Sequence, residues 1–252
     1  MRVVDIINIS SSADTLLRER VLMMRASGID NRIVCMDGPR VAALRALGIP
    51  MHIVHLPRGL HLWKLATALV ETTGYLRRSR ADIVHTHCSI PGLVGRLAAW
   101  LAGVPVIIHT VHGFHFHERT SWLARWPYLT AERLCGLVTD TLLTQNRSDL
   151  EQAERFGIGR RGHRQLIGNG IDLAEFRPRP GRSRPGEPPI LTCVARLEPV
   201  KNHRMLLEAA AVLKRRGARF RLRLVGDGPL RPEYQELCRR LGIGRASCRE
   251  RV

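Results

Sequence analysis

The chain has 252 residues, 44% of them hydrophobic and 25% charged, which is enough for one or two domains with stable cores. The formal net charge of +18 comes almost entirely from arginine, because only Lys64, Lys201 and Lys214 are lysines. Aromatic residues make up 5% and no long Lys/Arg run occurs, so the composition argues against a nucleic-acid partner and favours contact with an anionic membrane surface.

No apolar stretch reaches the roughly 18 to 20 residues that a membrane-spanning helix needs, and the N-terminus lacks the charged-then-apolar order of a signal peptide. The six cysteines show neither a C-x-x-C pair nor metal-ligand spacing. We therefore expect a cytoplasmic protein with reduced cysteines, in peripheral contact with the inner face of the plasma membrane.

Up to about residue 176, short apolar runs alternate with helical patterns, which predicts a parallel, doubly wound sheet. The predicted strands are residues 3–9, 32–36, 52–56, 83–85, 106–110, 140–144 and 164–167. The predicted helices are residues 16–26, 61–78, 93–101, 122–137 and 149–156.

Loops after these strands carry the polar residues that matter most. Residues 10–14 (SSSAD) are predicted to form a loop before the first helix. His85, His87 and Ser89 follow the DIV strand, and Ser89, before Pro91, is predicted to cap the next helix. His85 is interpreted mainly as a strand-end histidine bonded to a neighbouring carbonyl, whereas His87 is as well suited to ligand contact as to a structural role.

The segment HTVHGFHFH, residues 109–117, contains four histidines. A zinc site is conceivable, but no Cys or acidic ligand completes a recognisable set, so no metal is expected. A neutral His112 imidazole with a pKa near working pH could instead exchange a hydrogen bond with a ligand hydroxyl. Phe114 and Phe116 could stack on a ring of the ligand or belong to the core.

Residues 177–189, rich in Pro, Gly and Arg, are predicted to link the first domain to a smaller second unit. Within that unit, ILTCVARLEPVKN predicts a strand, a turn and a helix, with Arg196 and Lys201 on either side of the turn. Two cations at a helix N-terminus suggest a bound phosphate. The alternative, that Glu198 neutralises one of them in a solvated turn, is equally compatible with the local sequence.

The matching segment FRLRLVGDGPL predicts a second strand, a glycine turn and a second helix. Gly226 and Gly228 could allow the backbone to approach a nucleotide closely, although most such turns are only turns.

Four motifs occur in a specific order: NGID (residues 169–172), Phe176, ARLEPVKN and VGDGP. In this order the chain resembles the retaining, nucleotide-sugar-dependent glycosyltransferases of the family-4 type, which have the two-Rossmann GT-B fold. Residues 82–117 are similar to the branch that builds capsule, exopolysaccharide and other lipid-linked glycans. The resemblance covers roughly residues 1–242.

The resemblance implies an α/β fold with a complete N-terminal Rossmann-like domain (1–176), the linker 177–189 and an incomplete second Rossmann-like domain (190–242). It implies transfer of a sugar from a nucleotide-diphosphate sugar to a lipid-linked or glycan acceptor, without a cofactor. The implied site residues are His112 for transfer, Arg196 and Lys201 for the donor diphosphate, Gly113, Asn169, Gly170, Gly226 and Gly228 in loops around the cleft, and Arg58, His87 and Ser89 on the acceptor side.

Two alternatives remain open. A nucleotide-sugar epimerase can share the architecture and the diphosphate clamp, and a nonenzymatic basic protein would simply bind anions. Residues 243–252 (IGRASCRERV) resemble one reading frame of a sequencing adapter, and the family would continue through a paired-glutamate segment. We therefore expect a C-terminally truncated chain that is inactive alone.

Overall fold

The computed structural model describes residues 1–57, 61–114, 116, 120–171, 173–174, 176–177 and 186–243. The chain divides into two compact units, Met1–Ile171 and Asp172–Val252, here called unit 1 and unit 2. The candidate Arg58, the histidines His115 and His117, most of the predicted linker and residues 244–252 lie outside the described residues.

Unit 1 contains a seven-stranded sheet with helices on both faces. Its strands are β1 (Arg2–Ile9), β2 (Asp30–Met36), β3 (Met51–Ile53), β4 (Ile83–His87), β5 (Val106–Val111), β6 (Thr141–Thr144) and β7 (Arg164–Leu166). Its helices are α1 (Ser10–Leu16), α2 (Arg18–Ala26), α3 (Val41–Ala46), α4 (Leu62–Ser79), α5 (Ser89–Ala102), α6 (Trp122–Leu137) and α7 (Arg147–Arg155).

All pairings in this sheet are parallel, in the order β3-β2-β1-β4-β5-β6-β7. Successive side chains of β1 lie on opposite faces of the sheet. Ile6 packs on one face in a buried cluster with Val94 and Ala98 of α5. Ile7 packs on the other face with Ala13 of α1 and Val21 of α2. This double burial explains why the strands are near-continuous apolar runs. Because the strand order reverses between β1 and β4, their carboxyl ends form the topological switch point where ligands of such sheets bind.

Several sequence-based bounds need correction. Residues 10–14 are helical rather than a loop, since α1 begins at Ser10 directly after β1. The short helix α3 was not predicted, because its six residues are too few to show a helical period. Ser89 is the first residue of α5 rather than its N-cap; the N-cap is Cys88, whose side chain makes no capping hydrogen bond.

Unit 2 contains a two-stranded parallel sheet of β8 (Ile190–Val194) and β9 (Arg221–Val225), with the helices α8 (His203–Arg215) and α9 (Arg231–Arg240). A 3-10 turn, Pro199–Lys201, precedes α8. The core of this unit is a buried cluster that includes Leu197, Leu207, Leu224 and Tyr234. Among the described helices of both units, none combines the length and the hydropathy needed to cross a membrane.

Candidate functional site

A buried polar cluster lies at the switch point of unit 1. Asp5 of β1 stands directly opposite His85 of β4, and His87 follows two residues later on the same face of the sheet. The Nε2 atom of His87 is 3.0 Å from Asp5 Oδ1, and His85 Nε2 is 2.7 Å from the Thr110 hydroxyl of β5. Three neighbouring strands therefore contribute to one hydrogen-bonded cluster.

Arg20 of α2 supplies the positive charge in this cluster. Its guanidinium forms an ion pair with Asp5 Oδ1, and its Nη1 atom lies 3.1 Å from His85 Nδ1. Burial alone would raise the pKa of the Asp5 carboxyl, but Arg20 and the hydrogen bond from His87 hold that pKa well below its usual range. Asp5 is therefore an ionised carboxylate in a fully buried position, compensated by Arg20.

His112 extends the cluster from the loop after β5. Its Nε2 atom is 3.2 Å from His87 Nδ1, so His87 contacts Asp5 through one ring nitrogen and His112 through the other. The next residue, Gly113, has φ +96°, a conformation that L side chains rarely adopt. His112 is half-buried, whereas His87 is only 3% exposed.

The histidines of this cluster are neutral at physiological pH. Burial is the main cause that lowers the pKa of His85, His87 and His112, although Asp5 raises the pKa of the first two. For His112, burial and the nearby His87 bring the pKa to about 4, against an opposing hydrogen bond with Gln145. The expectation of a His112 pKa near working pH is therefore wrong, because the ring is too far removed from water.

The ligand atoms of Asp5, His85 and His87 lie within 4.8 Å of one another, a spacing that a metal ion could use. The Arg20 guanidinium already contacts Asp5 and His85, and a metal cation would have to displace it. His109 does not join this group, because its Nδ1 atom lies 2.8 Å from the Thr86 hydroxyl. The arrangement is that of a charge-compensated polar network.

The start of α5 is shaped by packing. A Cβ atom on Gly92 would lie 2.4 Å from the His109 ring, and one on Gly95 would lie 2.7 Å from Thr86 Cγ2. These glycines let the helix approach the sheet, rather than a ligand. Cys88, between β4 and α5, has φ +63° and ψ 165°, a region essentially reserved for glycine that costs on the order of 1 to 3 kcal/mol. This tight junction directly follows His87.

The remaining unit 1 candidates are less well supported. Asn169 and Gly170 follow β7 in an exposed segment, and nothing lies within 4 Å of a Cβ placed on Gly170. Phe116 is buried in a core cluster and its ring stacks on that of Phe114 at 5.0 Å, so Phe116 belongs to the core rather than to a sugar-stacking surface.

In unit 2, Arg196 and Lys201 lie on either side of the turn before α8. Arg196 pairs with Glu198 at 2.5 Å, which favours the alternative that Glu198 neutralises one of the two cations. Arg196 is exposed and Glu198 is half-buried, so the pair contributes little stability and an incoming anion can compete for Arg196. Lys201 is exposed, and no carboxylate among the described residues pairs with it.

The GDG turn of unit 2 packs against its own chain. A Cβ on Gly226 would lie 2.1 Å from the Ala195 carbonyl oxygen, and one on Gly228 would lie 2.5 Å from that of Leu197. Hydrogen bonds from Leu197 N to Asp227 O and from Leu230 N to Leu197 O join the two segments. The glycines are thus required for contact between the turn and the segment that holds Arg196.

Comparison with known families shows which family the chain belongs to. Residues 15–170 match the family described as glycosyl transferase 4-like domain, and this match covers more than half of the chain. The chain belongs to the glycosyltransferase 4-like family. Residues 177–247 also match glycosyl transferases group 1, the second domain type expected beside it.

The curated relatives of this glycosyltransferase 4-like chain are matched over about half of their own length. EpsD of Bacillus subtilis, whose name is 'Putative glycosyltransferase EpsD', is 32% identical to this chain. The match covers 76% of this chain and 52% of EpsD. The UDP-Gal:alpha-D-GlcNAc-diphosphoundecaprenol alpha-1,3-galactosyltransferase of Escherichia coli is 32% identical over 72% of this chain and 49% of its own. The chain therefore spans about half the length of the curated relatives it matches.

Solved structures confirm the fold. Anabaena HepE in complex with UDP and glucose superposes with a TM-score of 0.72 at 18% identity, covering 98% of this chain and 68% of HepE. A UDP-N-acetylglucosamine 2-epimerase superposes with a TM-score of 0.62 at 16% identity, covering 100% of this chain and 69% of the epimerase. The predicted α/β, GT-B-type fold is confirmed, and since both enzyme types share it, the fold does not separate them.

The sequence analysis of this glycosyltransferase 4-like chain missed Asp5 and Arg20. Asp5 was overlooked because it lies within an apolar strand, VVDIINI. A buried carboxylate needs a positive or hydrogen-bonding partner, so an acidic residue in the middle of such a strand is itself a signal. The acceptor-side assignment of His87 is also weakened, because both of its ring nitrogens are engaged inside the protein.

Proposed function

We propose that this chain is part of a glycosyltransferase that transfers a sugar from a nucleotide-diphosphate sugar to a lipid-linked or glycan acceptor during synthesis of a surface polysaccharide, with retention of configuration. The family match carries the assignment to glycosyl transfer. The relationship to the E. coli enzyme, whose name specifies a UDP-sugar and a diphosphoundecaprenol-linked acceptor, supports this donor and acceptor class.

His112 and Gly113 are the proposed sugar contacts. A neutral imidazole beside a fixed carboxylate network can bind a sugar hydroxyl without bringing a second positive charge into the site. Asn169 and Gly170 are proposed as further loop contacts, and Arg58 and Ser89 as acceptor-side contacts.

Lys201 and Arg196 are the proposed diphosphate ligands, together with the loops that contain Gly226 and Gly228. Cations held at a helix N-terminus stabilise the negative charge that develops on a departing diphosphate. Lys201 is the stronger candidate of the two, because Glu198 already pairs with Arg196.

Replacing Lys201 with alanine should weaken binding of uridine diphosphate to this chain by roughly 5- to 150-fold, which corresponds to about 1 to 3 kcal/mol for a lost hydrogen bond to a charged group. Isothermal titration measures the effect, with adenosine and guanosine diphosphates in parallel to identify the nucleotide. Lys64→Ala, which removes a lysine from α4 in the other unit, is the matched control. Equal diphosphate affinity in the wild type and Lys201→Ala would remove Lys201 from the donor site.

Incubation of the full-length parent protein with a UDP-sugar separates the remaining alternatives. An epimerase converts the donor alone, whereas a transferase needs acceptor lipid before sugar leaves the nucleotide. A nonenzymatic basic protein would instead bind nucleic acid with a steep salt dependence and ignore nucleotide diphosphates. Nuclear magnetic resonance of the transfer product would report whether the anomeric configuration is retained.

We also propose that unit 1 meets the cytoplasmic face of an anionic membrane. Helices α4 and α6 each begin with exposed apolar side chains, Leu62 and Trp63 on α4 and Trp122, Leu123 and Trp126 on α6. Tryptophan is favoured where an apolar surface meets lipid headgroups, and the net charge of +18 attracts anionic lipids.

The double variant Trp122→Ala/Trp126→Ala should therefore lose most of its cosedimentation with vesicles that contain phosphatidylglycerol. The wild type should bind these vesicles more strongly than vesicles of phosphatidylcholine alone, and added salt should weaken the binding. Trp100→Ala, which removes an exposed tryptophan near the end of α5, is the control. Equal sedimentation with both vesicle types would contradict the membrane proposal.

A further inference from the structure

The contacts of His87 determine where the hydrogens of this cluster lie. Asp5 is an ionised carboxylate and can only accept, so the 3.0 Å contact requires a hydrogen on His87 Nε2. A neutral imidazole has only one N–H, and burial keeps His87 neutral by lowering its pKa. His87 Nδ1 is therefore a lone pair that accepts.

The same reasoning extends to His112. The 3.2 Å contact between His87 Nδ1 and His112 Nε2 needs one hydrogen, and His87 cannot supply it, so His112 donates from Nε2. His112 is also neutral, since burial and His87 lower its pKa to about 4. Its single hydrogen thus points toward His87, and Nδ1 is left as the acceptor atom of the ring.

We propose that His87, held by Asp5 and Arg20, is a positioning residue that fixes His112 in the Nε2–H tautomer, so that His112 offers its Nδ1 atom as a hydrogen-bond acceptor to a hydroxyl of the sugar ligand. The sugar contact rests on the proposed function, whereas the tautomer rests only on the cluster. Gln145 also hydrogen-bonds to His112. In the Nε2–H tautomer the Gln145 NH₂ group can donate to His112 Nδ1, so a sugar hydroxyl competes with Gln145 for this acceptor atom.

The fixed tautomer determines the direction of the hydrogen bond between His112 and the sugar. A ring with a free choice of tautomer could donate to or accept from a sugar, whereas a ring fixed in this way selects a hydroxyl that donates. The ionised Asp5, two hydrogen bonds away from His112, polarises both hydrogen bonds of this chain in the same direction without becoming protonated itself. Arg20 keeps Asp5 charged and so maintains the direction of both hydrogen bonds.

Two substitutions at His87 separate its two contacts. The amide nitrogen of His87→Gln can replace Nε2 and donate to Asp5, but this side chain offers nothing at the Nδ1 position. The amide oxygen of His87→Asn can replace Nδ1 and accept from His112, but it loses the contact with Asp5. We expect His112 to keep its Nε2–H tautomer in His87→Asn and to become a mixture of both tautomers in His87→Gln.

Two-bond nitrogen–proton correlation spectra of the 252-residue chain with ¹⁵N-labelled histidine measure the tautomer directly, with His112→Gln to assign the resonances. The wild type should show a single His112 tautomer with Nδ1 unprotonated, and thermal melting should show which variants fold. A wild-type His112 protonated on Nδ1, or an unchanged tautomer in a folded His87→Gln, would overturn the proposal. The wild-type spectrum decides the question even if neither variant folds. Because no ligand is present, failure here is distinct from failure of uridine diphosphate binding.

Discussion

Unit 1 should lose unfolding free energy as the pH falls from about 6 to about 5, because its buried, neutral histidines bind more protons when the unit unfolds. Three almost fully buried histidines, His85, His87 and His109, have pKa values that burial holds below the usual range. His112, with a pKa of about 4, is a fourth group with a lowered pKa, and each of the four binds more protons in the unfolded state, where the histidine pKa is about 6.5. Each proton contributes about 1.4 kcal/mol per pH unit, which is large beside a total stability of about 5 to 15 kcal/mol.

The sign follows from linkage. A folded pKa below the unfolded value means that the stabilisation is present above about pH 6.5 and is lost as the pH falls through this window. Asp5 also has a lowered pKa, but its contribution is lost only below its unfolded pKa of about 3.9. Between about pH 6 and pH 5 the change in unfolding free energy therefore reports the histidines rather than Asp5.

Urea unfolding at several pH values, followed by circular dichroism and tryptophan fluorescence, measures this slope. All four tryptophans lie in unit 1, so their fluorescence reports that unit alone. His109→Gln can keep the hydrogen bond to Thr86 without titrating and should reduce the slope by about 1.4 kcal/mol per pH unit. His55→Gln, which removes an imidazole whose side chain is 93% exposed, is the control variant. A flat stability between pH 7 and 5 would contradict the buried neutral histidines.

The sheet of unit 1 was predictable because its elements follow local patterns. Alternating apolar runs and helical periods predicted all seven strands, and the bounds of α6 agree with the prediction at both ends. Local patterns failed where an element is short, as in α3, or where a polar run is helical, as in α1. Serine and aspartate favour caps and turns, and here the direct passage from β1 into α1 overrides that preference.

The site was predictable only in part, since its residues are distant in sequence. His87 and His112 were recognised as polar residues at strand ends, but their partner Asp5 is 82 positions before His87. No periodicity relates two such positions, and only the β1–β4 pairing brings them together. In unit 2 the sequence left two interpretations of Arg196 and Lys201 equally open, and the contact with Glu198 distinguishes the paired arginine from the lysine.

Replacing Glu132 with alanine should destabilise unit 1 by about 3 to 5 kcal/mol, because it leaves the buried Arg96 guanidinium without its counter-charge. Arg96 of α5 is fully buried, and its Nη2 atom is 2.7 Å from Glu132 Oε2 of α6. Its Nη1 atom already lacks a hydrogen-bond partner among the described residues, so the ion pair is the main compensation for this charge. An arginine within the apolar run GLVGRLAAWLAG is a signal of such a pair in the sequence itself.

The Arg96–Glu132 ion pair also holds the start of α5 next to the polar cluster of Asp5, His85, His87 and His112. Arg96 Nε donates to the Gly92 carbonyl oxygen at 2.8 Å, in the first turn of the helix that begins immediately after His87 and Cys88. Glu132→Ala should therefore loosen the start of α5 and broaden the His112 resonances as well as lower the urea midpoint. The double variant Arg96→Met/Glu132→Leu removes both charges with similar volumes and should be close to neutral or stabilising. A loss below about 1 kcal/mol for Glu132→Ala, within the range of an exposed ion pair, would show that Arg96 reaches water and is not buried in this way.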